Sequence, residues 1–250
     1  MTATIRSEWI KLRTVRMNFV LAIIAVVFPI AVCVLTVALQ DLATIEAKDI
    51  VGLVTGTSVV TALLLGVIGA VSISGEFGHG TIRPTFAATP ARSRVMIAKA
   101  IVTVTVAVLV ELVVLVVCLG ASLAIAGSRG LSVDIGDQPG NWPAITGLVV
   151  FTAVVSLLGF GLGLLVRNTP VAISILILWP LVVENIVGGI LDVAGVDRPY
   201  RFLPYISGVH MTATEPDPEL LGRVAGGLYF AAATLLVALF GAAMTSRKDA

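Results

Sequence analysis

Six stretches of this sequence, near residues 18–39, 50–73, 96–126, 143–166, 170–191 and 223–244, are long and apolar enough to cross a bilayer as helices. A spanning helix needs about 20 such residues, because lipid offers the backbone no partner and a helix satisfies its own hydrogen bonds. The pattern leaves one fold class, an all-α integral membrane protein with six transmembrane helices, and residues 1–250 read as a single transmembrane domain. With 58% of residues hydrophobic and 12% charged, the composition excludes a soluble domain. The third run is too long for the hydrocarbon layer, which predicts a continuous helix that tilts or extends beyond it. The first run exceeds a signal-peptide core and is not followed cleanly by a small-residue cleavage site, so it is expected to remain as a span.

Charge orients the chain. Of the 16 lysines and arginines, 11 fall on one side of the six spans: Arg6, Lys11, Arg13, Arg16, Arg83, Arg92, Arg94, Lys99, Arg167, Arg247 and Lys248. Only Lys48, Arg129, Arg198, Arg201 and Arg223 fall on the other. The positive-inside rule then places both termini and the 75–95 loop in the cytoplasm, as expected for a multi-pass protein of a bacterial plasma membrane. Ten of the 15 acidic residues crowd the opposite face, a pattern open to two readings, a preference for cationic substrates at an exit mouth or a hydrated rim. No basic patch with interleaved aromatics supports nucleic-acid binding. Cys33 and Cys118 lie inside apolar runs and read as packing residues.

Residues 1–17 carry Ile5, Trp9 and Leu12 at helical spacing with cations mostly off that stripe, which predicts an amphipathic helix in the membrane interface, in contact with lipid. The 75–95 loop is glycine-rich and basic. Gly75, Gly78 and Gly80 permit sharp turns, Thr81 to Phe86 suffices for one or two helical turns, and Thr89-Pro90 reads as the cap of the next helix.

Glu76, then Gly80-Thr81-Ile82-Arg83, then Thr89-Pro90 with Arg92 and Arg94, and finally Lys99, resemble the first cytoplasmic loop of type-2 ATP-binding-cassette (ABC) exporter permeases, and Arg201-Phe202-Leu203-Pro204 after an acidic fifth span resembles actinobacterial members especially. The resemblance implies an N-terminal elbow helix and a cytoplasmic coupling helix seated in a separate ATPase subunit, with Glu76, Gly80, Thr81, Ile82, Arg83, Arg92 and Arg94 as the coupling residues. It also implies two copies of that ATPase, with ATP and Mg held there and no cofactor on this chain. A six-span chain is half the usual complement, so a homodimer is expected. The 192–222 segment, with Arg201, Leu203 and Pro204, is similar to the family's re-entrant helices over the extracellular exit, and those three residues are implied as its gate.

Two carboxylates remain within spans, Glu111 and Glu184, and intramembrane acids are costly enough to be functional candidates. Glu184 lies beside Trp179-Pro180 and Asn185, a combination of kink and polar groups; the family's fifth span lines the path and the dimer seam, so Glu184, Asn185, Trp179 and Glu111 are the path candidates. Small residues at Gly52 and Gly56, at Gly159, Gly161 and Gly163, and at Gly222 and Gly226 predict close helix contacts. No phosphate-binding loop or metalloprotease motif occurs, and His79 and His210 fall on opposite faces, so neither catalytic nor metal-ligating residues are expected. The expected function is the permease subunit of an exporter for an amphipathic or lipid-like substrate, as in multidrug or lipid efflux. A non-transporting immunity, sensing or scaffold subunit and a proton-coupled secondary transporter are the alternative readings.

Overall fold

The computed structural model describes residues 2–40, 46–88 and 91–248. Ten α-helices account for most of them. Helix α1 (Thr2–Thr14) meets α2 (Arg16–Leu39) at Val15, and α3 (Ala47–Gly78) runs back to the short α4 (Ile82–Ala88). Helix α5 (Arg92–Ser128) is followed by α6 (Asn141–Val166). The next span is continuous from Thr169 to Val193 and consists of α7 (Thr169–Leu178), a π-helical turn over Trp179–Val183, and α8 (Glu184–Val193). A short 3₁₀ turn at Pro199–Phe202, α9 (Pro204–Val209) and another turn at His210–Thr212 lead to α10 (Arg223–Lys248).

Six of these helical runs are long and apolar enough to span a membrane, at the six positions expected. Two exceed the expected limits, α3 with 32 residues and α5 with 37. At 1.5 Å per residue α5 is about 55 Å long, against roughly 30 Å of hydrocarbon. It opens behind Ala91, and the expected Thr89-Pro90 cap lies outside the described residues. The end of the bundle carrying α1, α4 and Arg167 is the basic end; the other is the acidic end.

Burial identifies the central pair. The most apolar windows of α3 and α6 are 61% and 56% buried, whereas those of α2 and the fifth span are 22% and 28%. Helices α3 and α6 touch backbone to backbone: a Cβ on Gly159 would lie 1.9 Å from the Gly66 carbonyl oxygen, and one on Gly69 would lie 2.4 Å from that of Ser156. Gly161 packs against the backbone of α10, where a Cβ would lie 2.9 Å from the Ala238 Cα. Among the described residues of this one chain, nothing lies within 4 Å of a Cβ added at Gly56 or Gly222, so the small-residue contacts expected there are not made within it. Spacing identifies a smooth stripe on a helix, but the partner that fills it is set by tertiary packing.

Candidate functional site

At the basic end, three helices converge on buried charge. The Lys99 ammonium of α5, only 4% exposed, donates to Glu8 Oε2 of α1 and, at 3.0 Å, to Glu76 Oε1 of α3. Lys11 of α1 donates to Glu8 Oε1 at 2.9 Å and to Glu76 Oε1 at 3.0 Å. Burial acts to raise the Glu8 carboxyl above its ordinary 4.5, but the charge and hydrogen bonds of Lys99, with Lys11, outweigh it and hold it lower. Burial likewise acts to lower Lys11 from 10.5, and its bonds to Glu8 and Glu76 raise it instead.

The sign follows from linkage. The depressed Glu8 contributes stability above pH 4.5 that is lost as pH falls through its lower folded value; the raised Lys11 contributes below 10.5 and loses it at higher pH. In a variant retaining Trp9 as the sole tryptophan, emission should stay constant between those limits and shift to the red in acid as α1 undocks. Lys99→Met, which leaves Glu8 buried with only Lys11, should show the red shift at neutral pH. An unshifted Lys99→Met spectrum would mean that the cluster does not hold α1.

Glu76, one of the expected coupling residues, points inward to α1 and α5. Glu8 was not legible as a member of this site: an acid three residues before Lys11 reads as a solvated helix pair. The apolar stripe of α1, Ile5, Trp9 and Leu12, is half-buried, and Glu8 is its most deeply buried described side chain.

The loop beyond Glu76 turns at Gly80, whose φ of 69° lies in the left-handed region that glycine enters without strain. Ile82 then anchors α4, packing 7% exposed with Ile73, Met96, Phe160 and Leu164. Thr81 just before α4, Pro84 and Ala87 on it, and Arg94 on α5 remain exposed. Arg92 lies 5.4 Å over the Phe86 ring, fixing the return of the chain into α5. The backbone of Arg83 lies in α4.

At the acidic end, Glu184 organises a different assembly. It is 1% exposed; its Oε1 accepts from Trp179 Nε1 at 3.1 Å and from the Tyr205 backbone N–H at 3.0 Å, and its Oε2 accepts from the Ile206 N–H at 2.9 Å. The carboxylate thus caps the first turn of α9, where unpaired N–H groups favour an anion. Pro180 has no N–H to give, and the local π turn accommodates it. Asn185 Nδ2 donates to the Pro180 and Leu181 carbonyls at 3.2 Å each. Trp179 is 51% exposed on an outer apolar strip with Leu178, Leu181, Ile186 and Ile190.

Leu203 is buried, Pro204 opens α9, and the Arg201 guanidinium stacks over Phe202 at 4.9 Å. Tyr205 packs with Phe151 and Phe230, and His210 ties the segment down, accepting from the Asp217 N–H and contacting the Leu221 carbonyl, both at 2.8 Å. Glu111 is wholly buried and accepts from Thr152 Oγ1 at 3.1 Å. Among the described residues the two intramembrane carboxylates share no hydrogen-bond partner.

Six helical runs long and apolar enough to span a membrane define a multi-pass membrane protein. The model of the ABC-2 family transporter protein family matches residues 4–183, from α1 to the end of the π turn. The chain belongs to that family: it is a multi-pass permease subunit of an ABC transporter, a class that works with a partnering ATPase subunit and is not itself catalytic. No protein of curated function matches it.

Proposed function

We propose that this chain forms the membrane half of an exporter, as a homodimer driven by two copies of a separate ATPase that bind ATP and Mg, in a bacterial plasma membrane with both termini cytoplasmic. The observation that carries the reading is α4, a short helix at the basic end whose Ile82 is anchored in the bundle while Thr81, Pro84 and Ala87 stay exposed. That exposed edge is the surface assigned to the ATPase, with Gly80, Arg83, Arg92 and Arg94 beside it. Glu76 acts from behind, joining the loop to α1 and α5. The outer apolar strip on the fifth span is assigned to the second copy, Glu184 holds α9 as part of an exit gate with Arg201, Leu203 and Pro204, and the cargo is amphipathic. The three hydrogen bonds that Glu184 accepts favour an anchor over a proton carrier.

The test is affinity purification of the tagged chain in mild detergent. A cassette ATPase should copurify, and Pro84→Glu should reduce its recovery by roughly tenfold, as a charge placed in a desolvated contact does, with membrane insertion unchanged. Glu76→Ala should retain the ATPase but uncouple hydrolysis from transport. Full ATPase recovery with Pro84→Glu would remove α4 from the interface.

A further inference from the structure

A groove of about 230 Å³ lies between α2 and α5 in the basic half of the spans, bounded by Trp9 and Leu12 of α1. Ile68 of α3, 4% exposed, forms its floor beside Ala22, and the exposed rings and branches of Phe19 and Leu109 form its lips. Apart from Asn18, whose amide donates to the Leu12 carbonyl, the lining is apolar or aromatic. The groove opens sideways, on the face that the spans turn to lipid.

Polar groups without a partner stand at its basic end. Trp9 is half-buried in the groove, and among the described residues its indole N–H finds no acceptor. Arg6 and Arg16 are exposed, and among the described residues neither guanidinium has an ion pair or a hydrogen bond. Helical register sets both beside the groove: Arg6 is three residues before Trp9 on α1, and Arg16 three before Phe19 on α2, so each pair shares a face. Side chains lean toward a helix N-terminus, which carries Arg16 to the water side of Phe19. Glu8, the one acid of α1, is held inside by Lys99 and Lys11, so it does not offset these arginines. An apolar slot that ends in unpaired cations and an indole N–H suits an alkyl chain with an anionic head.

We propose that this groove holds one acyl chain of an anionic phospholipid from the leaflet at the basic end, with its head group on the surface that Arg6 and Arg16 make positive and Trp9 Nε1 donating to a lipid oxygen. Interfacial tryptophan sits at the depth where such oxygens lie. The lipid then ties α1 to the leaflet on one side, as Lys99 ties it to the bundle on the other. The proposal stands apart from the transport reading, since it needs only the basic end at a membrane surface.

The test is native mass spectrometry of the full chain released from nanodiscs of equal parts phosphatidylcholine and phosphatidylglycerol with matched acyl chains. One phosphatidylglycerol per chain should be retained, enriched roughly tenfold over phosphatidylcholine, as two cations at a membrane surface supply. Arg6→Gln combined with Arg16→Gln changes only exposed side chains and should abolish the enrichment. Ala22→Phe fills the groove with every cation in place and should reduce retention of the lipid roughly tenfold, about the effect of removing its chain contacts. Phe19→Ala, at an exposed position, removes one lip and should act in the same direction, which keeps the test decisive if Ala22→Phe does not fold. Equal retention of the two lipids, or enrichment unmoved by the arginine pair, would overturn the proposal. So would enrichment unmoved by both groove variants, which would mean annular lipid drawn by surface charge only.

Discussion

Gly159→Leu should prevent the bundle from assembling. The position has no room even for a methyl group, since a Cβ there falls 1.9 Å from the Gly66 carbonyl oxygen, and that oxygen belongs to a helix backbone rather than to a mobile side chain. Accommodating leucine requires α3 and α6 to separate along the seam that is also the most buried part of the molecule. A cost of about 3 kcal/mol or more is expected, at the upper end for overpacking. The measurement is the monodisperse fraction and melting temperature of the purified chain in detergent. Gly56→Ala is the matched control: nothing lies within 4 Å of its added methyl, and the change should be neutral or slightly stabilising. Equal behaviour of the two variants would mean that α3 and α6 are not in backbone contact.

Glu184→Ala should release the segment between the fifth span and α10. It leaves the N–H groups of Tyr205 and Ile206 and the Trp179 indole without their acceptor, a loss of about 3 kcal/mol if the two backbone groups stay buried. Glu184→Gln retains one acceptor oxygen but turns an amide N–H₂ toward the same donors, and should cost roughly half as much. The readout is labelling of Leu203→Cys by a membrane-impermeant thiol reagent, with Cys33 and Cys118 replaced by alanine. Leu203 is 6% exposed, so the cysteine should be protected with Glu184 and react with Glu184→Ala. Equal labelling in both would show that the carboxylate does not hold α9 down.

These two sites also mark where the sequence is and is not legible. The six spans, the N-terminal helix and the short helix after Gly80 follow from run length, periodicity and turn residues, which are local properties. Glu184 is conspicuous for its setting beside Trp179, yet its other two partners lie some 20 residues further on and are backbone amides, which no side-chain pattern reveals. Glu76 illustrates the same limit: its loop looks like an outward-facing motif, but Lys99 and Lys11 turn its carboxylate inward through contacts that exist only once α1 docks. Gly159 stands out as a small residue, and its counterpart Gly66 lies in the four-residue repeat of Ala62, Gly66 and Ala70, but that these two glycines meet is identified only by the fold.

The unbroken length of α5 has a mechanical meaning. A helix of 37 residues without an internal proline behaves as a stiff rod, and its basic end is fixed to α1 and α3 through Lys99. Tilting a rod about 55 Å long by about 5° swings its far tip by about 5 Å, roughly one helical pitch. Pivoted at its Lys99 end, so long a rod would turn a tilt of a few degrees into a lateral shift of several ångström at the acidic end.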